Sequence, residues 1–195
     1  MTAYQFCTDV MGLQDTAAVR RLVPFIQRRC LPRGTLLLRE GDPIRELFML
    51  EEGCVVAGTL EESGDYRVDC IETTPGTVCV GANFYENPLC STLTIRTGTN
   101  SVFFVMRMDR LLKAMESEPA VARLYVEVLE KSLHRNWCVR RALTGGSAMD
   151  RYRWFLSEYP GLDDQLPDRA IASYLNMSPI TLSRMRNAAQ NPAEP

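Results

Sequence analysis

The sequence contains no uninterrupted apolar run approaching the roughly 20 residues that cross a bilayer. Its first residues do not form a basic stretch followed by an apolar core, so the chain reads as cytoplasmic, with no membrane partner. Histidine is nearly absent, and the single residue is His134. The seven cysteines are Cys7, Cys30, Cys54, Cys70, Cys79, Cys90 and Cys138, and no two are close enough for a CxxC knuckle. An odd, scattered set of this kind argues against a disulfide framework; most read as small core residues, with one or two left for redox chemistry. There is no metal-ligand cluster, no phosphate-cradling glycine loop and no nucleophile elbow. Enzymes are therefore the weakest class, and no cofactor is implied. Positive charge is not in excess either: 22 Lys and Arg stand against 24 Asp and Glu, a net charge of −2.

What is present is 46% hydrophobic residues in a chain of 195, enough for one large and one small domain with packed cores. Residues 1–30 read as one or two short helices with Val19, Leu22, Val23 and Ile26 on one stripe. From Leu31 to about Met106 the period becomes two, with β-rich runs broken at Gly41-Asp42, Glu52-Gly53 and Pro75-Gly76. Regular short strands of this kind predict a sandwich, roll or barrel. The segment TLTIRTGTNSVFFVMR supplies two closing strands around a Gly-Thr-Asn turn.

After Pro119 the period is helical, with Val121, Leu124, Tyr125, Val128, Leu129, Ser132 and Leu133 on an apolar-to-small stripe. The helix is expected to run about 25 residues, or roughly 37 Å. The stripe keeps close to heptad spacing over its first half, which predicts pairing with a second copy in a parallel dimer. Gly145-Gly146 makes a hinge, and Ser147 with Asp150 resembles a capping box that opens the next helix.

Residues 168–186, DRAIASYLNMSPITLSRMR, match a helix-turn-helix almost position by position. Asp168 can cap a short helix whose inward residues are Ile171, Ala172 and Leu175. Asn176 holds the turn position that favours glycine, and asparagine tolerates left-handed backbone. Ser178 and Pro179 start a second helix, whose Leu182 and Met185 face the first. Thr181, Ser183, Arg184 and Arg186 fall on other faces. Residues 150–195 carry five Arg against six Asp or Glu, so attraction to phosphate depends on local placement of Arg169, Arg184 and Arg186 and on doubling in a dimer.

A β-roll, a long helix, a hinge and a helix-turn-helix in this order resemble the Crp/Fnr family of bacterial transcription regulators. In the roll the likeness rests on Gly34, Gly41-Asp42 and LFMLEEGCV; at the other end it rests on RYRWFLSEYPGL and IASYLNMSPITLSRMR. The resemblance implies an α+β chain. It would have an antiparallel β-roll sensor of jelly-roll type with N-terminal helices at 1–116, a dimerisation helix at 117–144 and a small all-α DNA-binding domain at 147–195. It implies DNA, a second copy of the chain and RNA polymerase as partners. Family members that bind cyclic nucleotide carry Gly-Glu and, further on, Arg followed by Ser or Thr; the acid holds the ribose, and the arginine neutralises the phosphate. Here the matching segment runs from Gly81-Ala82-Asn83-Phe84-Tyr85 to Ser91-Thr92, with alanine for the acid and serine for the arginine. A buried phosphate would go uncompensated, so the effector is expected to be something other than cAMP, or a redox state.

Iron–sulfur members use a tight N-terminal cysteine cluster, whereas Cys7 stands alone there. His134 reads as a surface or interface residue rather than a haem ligand. Trp137, beside Asn136, falls where family members let the long helix meet the effector. It packs a core or a dimer, lines an apolar ligand pocket with Phe84 and Tyr85, or fills the former site and locks the sensor. In the second helix of the motif, Arg184 matches an arginine that contacts base edges, and Thr181 can meet a phosphate or a thymine methyl, while Arg186 reads as a phosphate contact. Ile180 stands where many relatives carry glutamate, and only Asn191-Pro-Ala-Glu-Pro follows the helix, too little for the wing that usually supports phosphate contacts. Two functions compete: a homodimeric, sequence-specific regulator, and a ligand- or redox-sensing module whose degenerate helix-turn-helix makes protein contacts.

Overall fold

A computed structural model describes residues 1–61, 66–79 and 90–190. Eight strands are present among them: β1 (Ile26–Leu31), β2 (Leu36–Leu38), β3 (Glu46–Glu52), β4 (Val55–Leu60), β5 (Tyr66–Glu72), β6 (Val78–Cys79), β7 (Thr94–Thr97) and β8 (Ser101–Arg107). They form two four-stranded antiparallel sheets, ordered β1-β8-β3-β6 and β2-β7-β4-β5. Consecutive residues Leu47, Phe48 and Met49 of β3 and Phe103, Phe104 and Val105 of β8 are all buried, so both faces of these strands are covered, and the rings of Phe6 and Phe104 lie 4.3 Å apart. Gly58 lies at a register shift between β4 and β5, and a side chain there would collide with the Arg67 carbonyl.

The N-terminal helices are α1 (Ala3–Gln5), which continues into a π turn (Phe6–Val10), and α2 (Thr16–Leu22), capped by the Asp15 carboxylate on the amides of Ala17 and Ala18. The apolar stripe expected to reach Ile26 stops being helical at Leu22, because Pro24 sits in a 3₁₀ turn and Ile26 starts β1, paired with Met106. The Gly98-Thr99-Asn100 turn does not close a hairpin. β7 belongs to one sheet and β8 to the other, so the turn carries the chain between layers.

The remaining helices are α3 (Met108–Ser117), α4 (Pro119–Thr144), α5 (Ala148–Glu158), α6 (Asp168–Tyr174) and α7 (Pro179–Gln190). Ser147 and Asp150 form the reciprocal capping box that opens α5. On α4 two faces separate. Val121 and Tyr125 are buried, and Leu124 and Val128 pack half-buried against the core of the roll. Val126, Leu129, Leu133 and Trp137 stay exposed. At 100° per residue the two faces lie roughly 130° apart. Most of the stripe expected to pair with a second copy is thus occupied by the chain's own sheets, and the free apolar surface is its neighbour.

A second core is shared. Tyr152, Phe155, Tyr159, Ile171, Tyr174, Leu175 and Leu182 from α5–α7 pack with Cys54, Val56, Val68 and Ile71 from β4 and β5. A division at residue 147 therefore cuts a core in two. β5 is an edge strand, and its free polar groups are satisfied by the C-terminal helices. The Ser173 hydroxyl accepts from Val68 N at 2.9 Å, and the Tyr159 hydroxyl donates to the Ile71 carbonyl at 3.0 Å. Among the described residues no helix is long and apolar enough to cross a membrane.

Candidate nucleic-acid interface and effector cavity

α6 and α7 are joined by a turn at 175–178 in which Asn176 adopts φ 52°, the left-handed conformation that its short polar side chain tolerates. Arg151 of α5 fixes this turn by donating to the carbonyls of Leu175 (2.8 Å) and Asn176 (3.3 Å). Ile171, Ala172, Leu175 and Leu182 are buried between the helices. The Ser178 hydroxyl accepts from Thr181 N at 3.1 Å and lies 2.9 Å from the Thr181 hydroxyl, so the two side chains are tied to each other at the start of α7. Asp168 is the first residue of α6 and makes no capping bond; Pro167 precedes it.

The surface these helices present is mixed. Ile180, Ser183 and Arg184 are exposed on α7, Ile180 at 67%, and Arg169 is exposed on α6. Arg184 has no ion-pair partner among the described residues. Arg186 differs: its guanidinium grips both oxygens of Asp163 at 2.9 Å and reaches Asp168 at 3.0 Å. The phosphate contact expected of Arg186 is corrected accordingly, because its charge is spent on two carboxylates that hold the helix pair together. Asp168 does not cap α6 as expected, because it sits one position inside the helix, where its carboxylate meets Arg186 instead.

The second candidate site is a cavity of about 250 Å³ between the roll and α4. β4 and β5 supply Val55, Ala57, Cys70 and Glu72; Thr77, Val78 and Cys79 follow; Leu93 and Ile95 close one side. α4 contributes Tyr125, Val128, Leu129, Ser132 and Asn136. Of the residues expected to line an effector site, Gly81, Ala82, Phe84 and Tyr85 lie outside the described residues. Asn136 lines the cavity. Ser91 is buried elsewhere: its hydroxyl donates to the Leu93 carbonyl at 2.6 Å, and its backbone pairs with Gly41 and Asp42. Thr92 is exposed and does not line the cavity. Trp137 is 59% exposed and does not line this cavity, and the Phe84 and Tyr85 with which it was expected to form a pocket lie outside the described residues.

Sequence reasoning missed Glu72 and Arg135. Arg135 Nε stands 2.8 Å from Glu72 Oε2, its Nη1 donates to Glu158 at 3.0 Å, and its Nη2 donates to the Tyr159 hydroxyl at 3.3 Å. The pair thus links β5, α4 and α5. Burial pushes the Glu72 carboxyl above the ordinary carboxylate range, and Arg135 opposes that rise. A signal was present in the sequence: Arg135 is the one cation on the inward row 121-125-128-132-135-139, where a charge must find a partner. The buried thiols are held protonated by desolvation, Cys7 near 11 and Cys54 and Cys79 near 12. Among the described residues no cluster of metal-ligating side chains is present.

Residues 28–118 match the family model of the cyclic nucleotide-binding domain. Solved structures share the architecture over most of the chain. FixK2 from Bradyrhizobium japonicum superposes with a TM-score of 0.70 at 19% identity, over 86% of this chain and 85% of that one. The c-di-GMP-responsive global regulator CLP of Xanthomonas campestris gives 0.69 at 16% identity, over 91% and 93%. A protein of Eubacterium rectale described as a transcriptional regulator of the Crp/Fnr family gives 0.69 at 15%, over 90% and 83%. At these identities the likeness establishes a shared fold. No curated protein sequence matches the chain.

Proposed function

We propose that the chain is a Crp/Fnr-type transcription regulator that binds DNA as a homodimer and is controlled by an effector other than cAMP or by redox state. The observation that carries this reading is the α6–α7 pair. It is braced by buried Ile171, Leu175 and Leu182 and by Arg151 on the turn, and it leaves Ser183 and unpaired Arg184 on the outer face of α7. A helix held in this way offers the N-terminal half of α7 to a major groove. Arg184 reads a base edge; Arg169, Ser178, Thr181 and Ser183 contact the backbone or neighbouring bases; Arg186 is a positioning residue. The exposed Val126, Leu129, Leu133 and Trp137 supply the face for the second copy, and contact with RNA polymerase belongs to the same reading.

Two observations favour the alternative of a sensing module whose C-terminal helices contact protein. Ile180 is exposed on the presented surface, and Arg186, one of its few cations, is neutralised. A gel shift on the DNA upstream of the chain's own coding region, repeated at two salt concentrations, separates the two. A complex that weakens steeply with salt supports the regulator. Absence of any shift at micromolar dimer leaves the protein-contact module.

A further inference from the structure

Resting on the reading that the roll senses an effector, the composition of its cavity restricts what that effector can be. The wall is formed by apolar side chains, two cysteines, Thr77, Ser132, Asn136 and one charged group, Glu72. Among the described residues no lysine, arginine or histidine lines it. Arg135 stands behind Glu72 and is shared between two carboxylates, Glu72 and Glu158. The local balance is therefore negative.

Glu72 is also incompletely satisfied. Arg135 Nε is in ionic contact with its Oε2 at 2.8 Å but is poorly aligned for a hydrogen bond, and its Oε1 meets only the Cys70 thiol at 3.7 Å, so the carboxylate keeps acceptor capacity. A buried carboxylate oxygen without an aligned donor gains from any ligand that brings one. An anion entering the same space meets a like charge and, among the described lining residues, finds no cation to offset it.

We propose that this cavity takes a small apolar molecule whose polar end is a hydrogen-bond donor, best a cation such as an ammonium group, seated on Glu72. Size agrees: a dry cavity of about 150 Å³ holds one benzene ring, and about 250 Å³ leaves room for a ring with a short arm. Such a ligand competes with Arg135 for Glu72. Arg135 also holds Glu158 and Tyr159 at the C-terminal end of α5, so occupancy would be felt there.

Three probes of nearly equal size and different charge test this: 2-phenylethylamine, 2-phenylethanol and 3-phenylpropionate, with cAMP as a fourth. Binding to the full chain is read by titration calorimetry and saturation-transfer NMR. The amine should bind at least about tenfold tighter than the carboxylate, with the alcohol between them and cAMP undetected. Glu72→Gln keeps the shape and should reduce the advantage of the amine to about threefold or less, leaving the alcohol unchanged. Ser132→Leu, on an exposed turn of α4, adds bulk to the cavity wall while keeping the Glu72 carboxylate, and should weaken all three phenyl probes. The proposal is overturned if the carboxylate or cAMP binds best, if Glu72→Gln leaves the order unchanged, or if none of the probes binds the folded chain. DNA plays no part in this measurement, so a failed gel shift and a failed titration remain distinct results.

Discussion

The hydroxyls of Tyr159 and Tyr174 lie 2.8 Å apart in a buried setting, and the Tyr159 oxygen also stands 3.0 Å from the Ile71 carbonyl. A carbonyl can only accept, so Tyr159 gives its one proton to Ile71, and Tyr174 must donate to Tyr159. This relay joins α5, α6 and the edge strand β5. Tyr159→Phe should cost roughly 2 kcal/mol, because it strands the Ile71 carbonyl and the Tyr174 hydroxyl together. Tyr174→Phe should cost about 1 kcal/mol or less, since Tyr159 still serves Ile71. Denaturant unfolding of the two variants compares them directly, and equal losses would contradict this donor order.

Arg184 and Arg186 should separate cleanly. Arg184→Ala removes an exposed side chain without an intramolecular partner, so the melting temperature should hold while affinity for a selected DNA site falls by roughly 1–3 kcal/mol per half-site. Arg186→Ala strips Asp163 and Asp168 of their counter-charge and should lower the melting temperature first. A randomised DNA library read at two salt concentrations, beside thermal melts, provides both measurements. Unchanged base preference in the Arg184 variant would mean that α7 does not read sequence.

Association should depend on the outer face of α4. Leu133→Glu or Trp137→Glu puts charge into an exposed apolar row and should give monomers in sedimentation or solution scattering. Val128→Glu buries a carboxylate against the chain's own roll instead, and should cost roughly 1–3 kcal/mol of folding stability. A parent chain that is already monomeric at micromolar concentration would end the dimer reading.

Thiol chemistry should follow exposure. Cys30 and Cys138 are exposed, Cys70 and Cys90 are half-buried, and Cys7, Cys54 and Cys79 are buried and kept protonated by desolvation. In the native protein at neutral pH, a chromogenic disulfide should label Cys30 and Cys138 first and reach the buried three only on unfolding. Rapid modification of Cys54 or Cys79 would instead place redox sensing just before β4 or in β6.

The C-terminal helix pair was legible because its signals are local. Ser178 before Pro179, Asn176 at the turn, and Leu175 and Leu182 at helical spacing each act within a few residues, and each is found as the spacing predicts. The capping box of Ser147 and Asp150 was readable for the same reason. Arg186 was out of reach because its role depends on distant groups. Whether a helical residue faces a sheet, a solvent or an aspartate 23 positions away is not written in its neighbours.

By itself, then, the sequence determined the order of strands and helices, the helix starts and turns, and the absence of a cation from the segment that resembles a phosphate site. Periodicity, capping and side-chain charge are properties of short stretches of chain. Only the tertiary structure decided which face of α4 the roll covers, that β5 and the C-terminal helices share one core, and that Glu72 meets Arg135 across three elements. Those outcomes depend on long-range burial. An edge strand must satisfy its polar groups, and a buried charge must find its partner, wherever in the chain the partner lies.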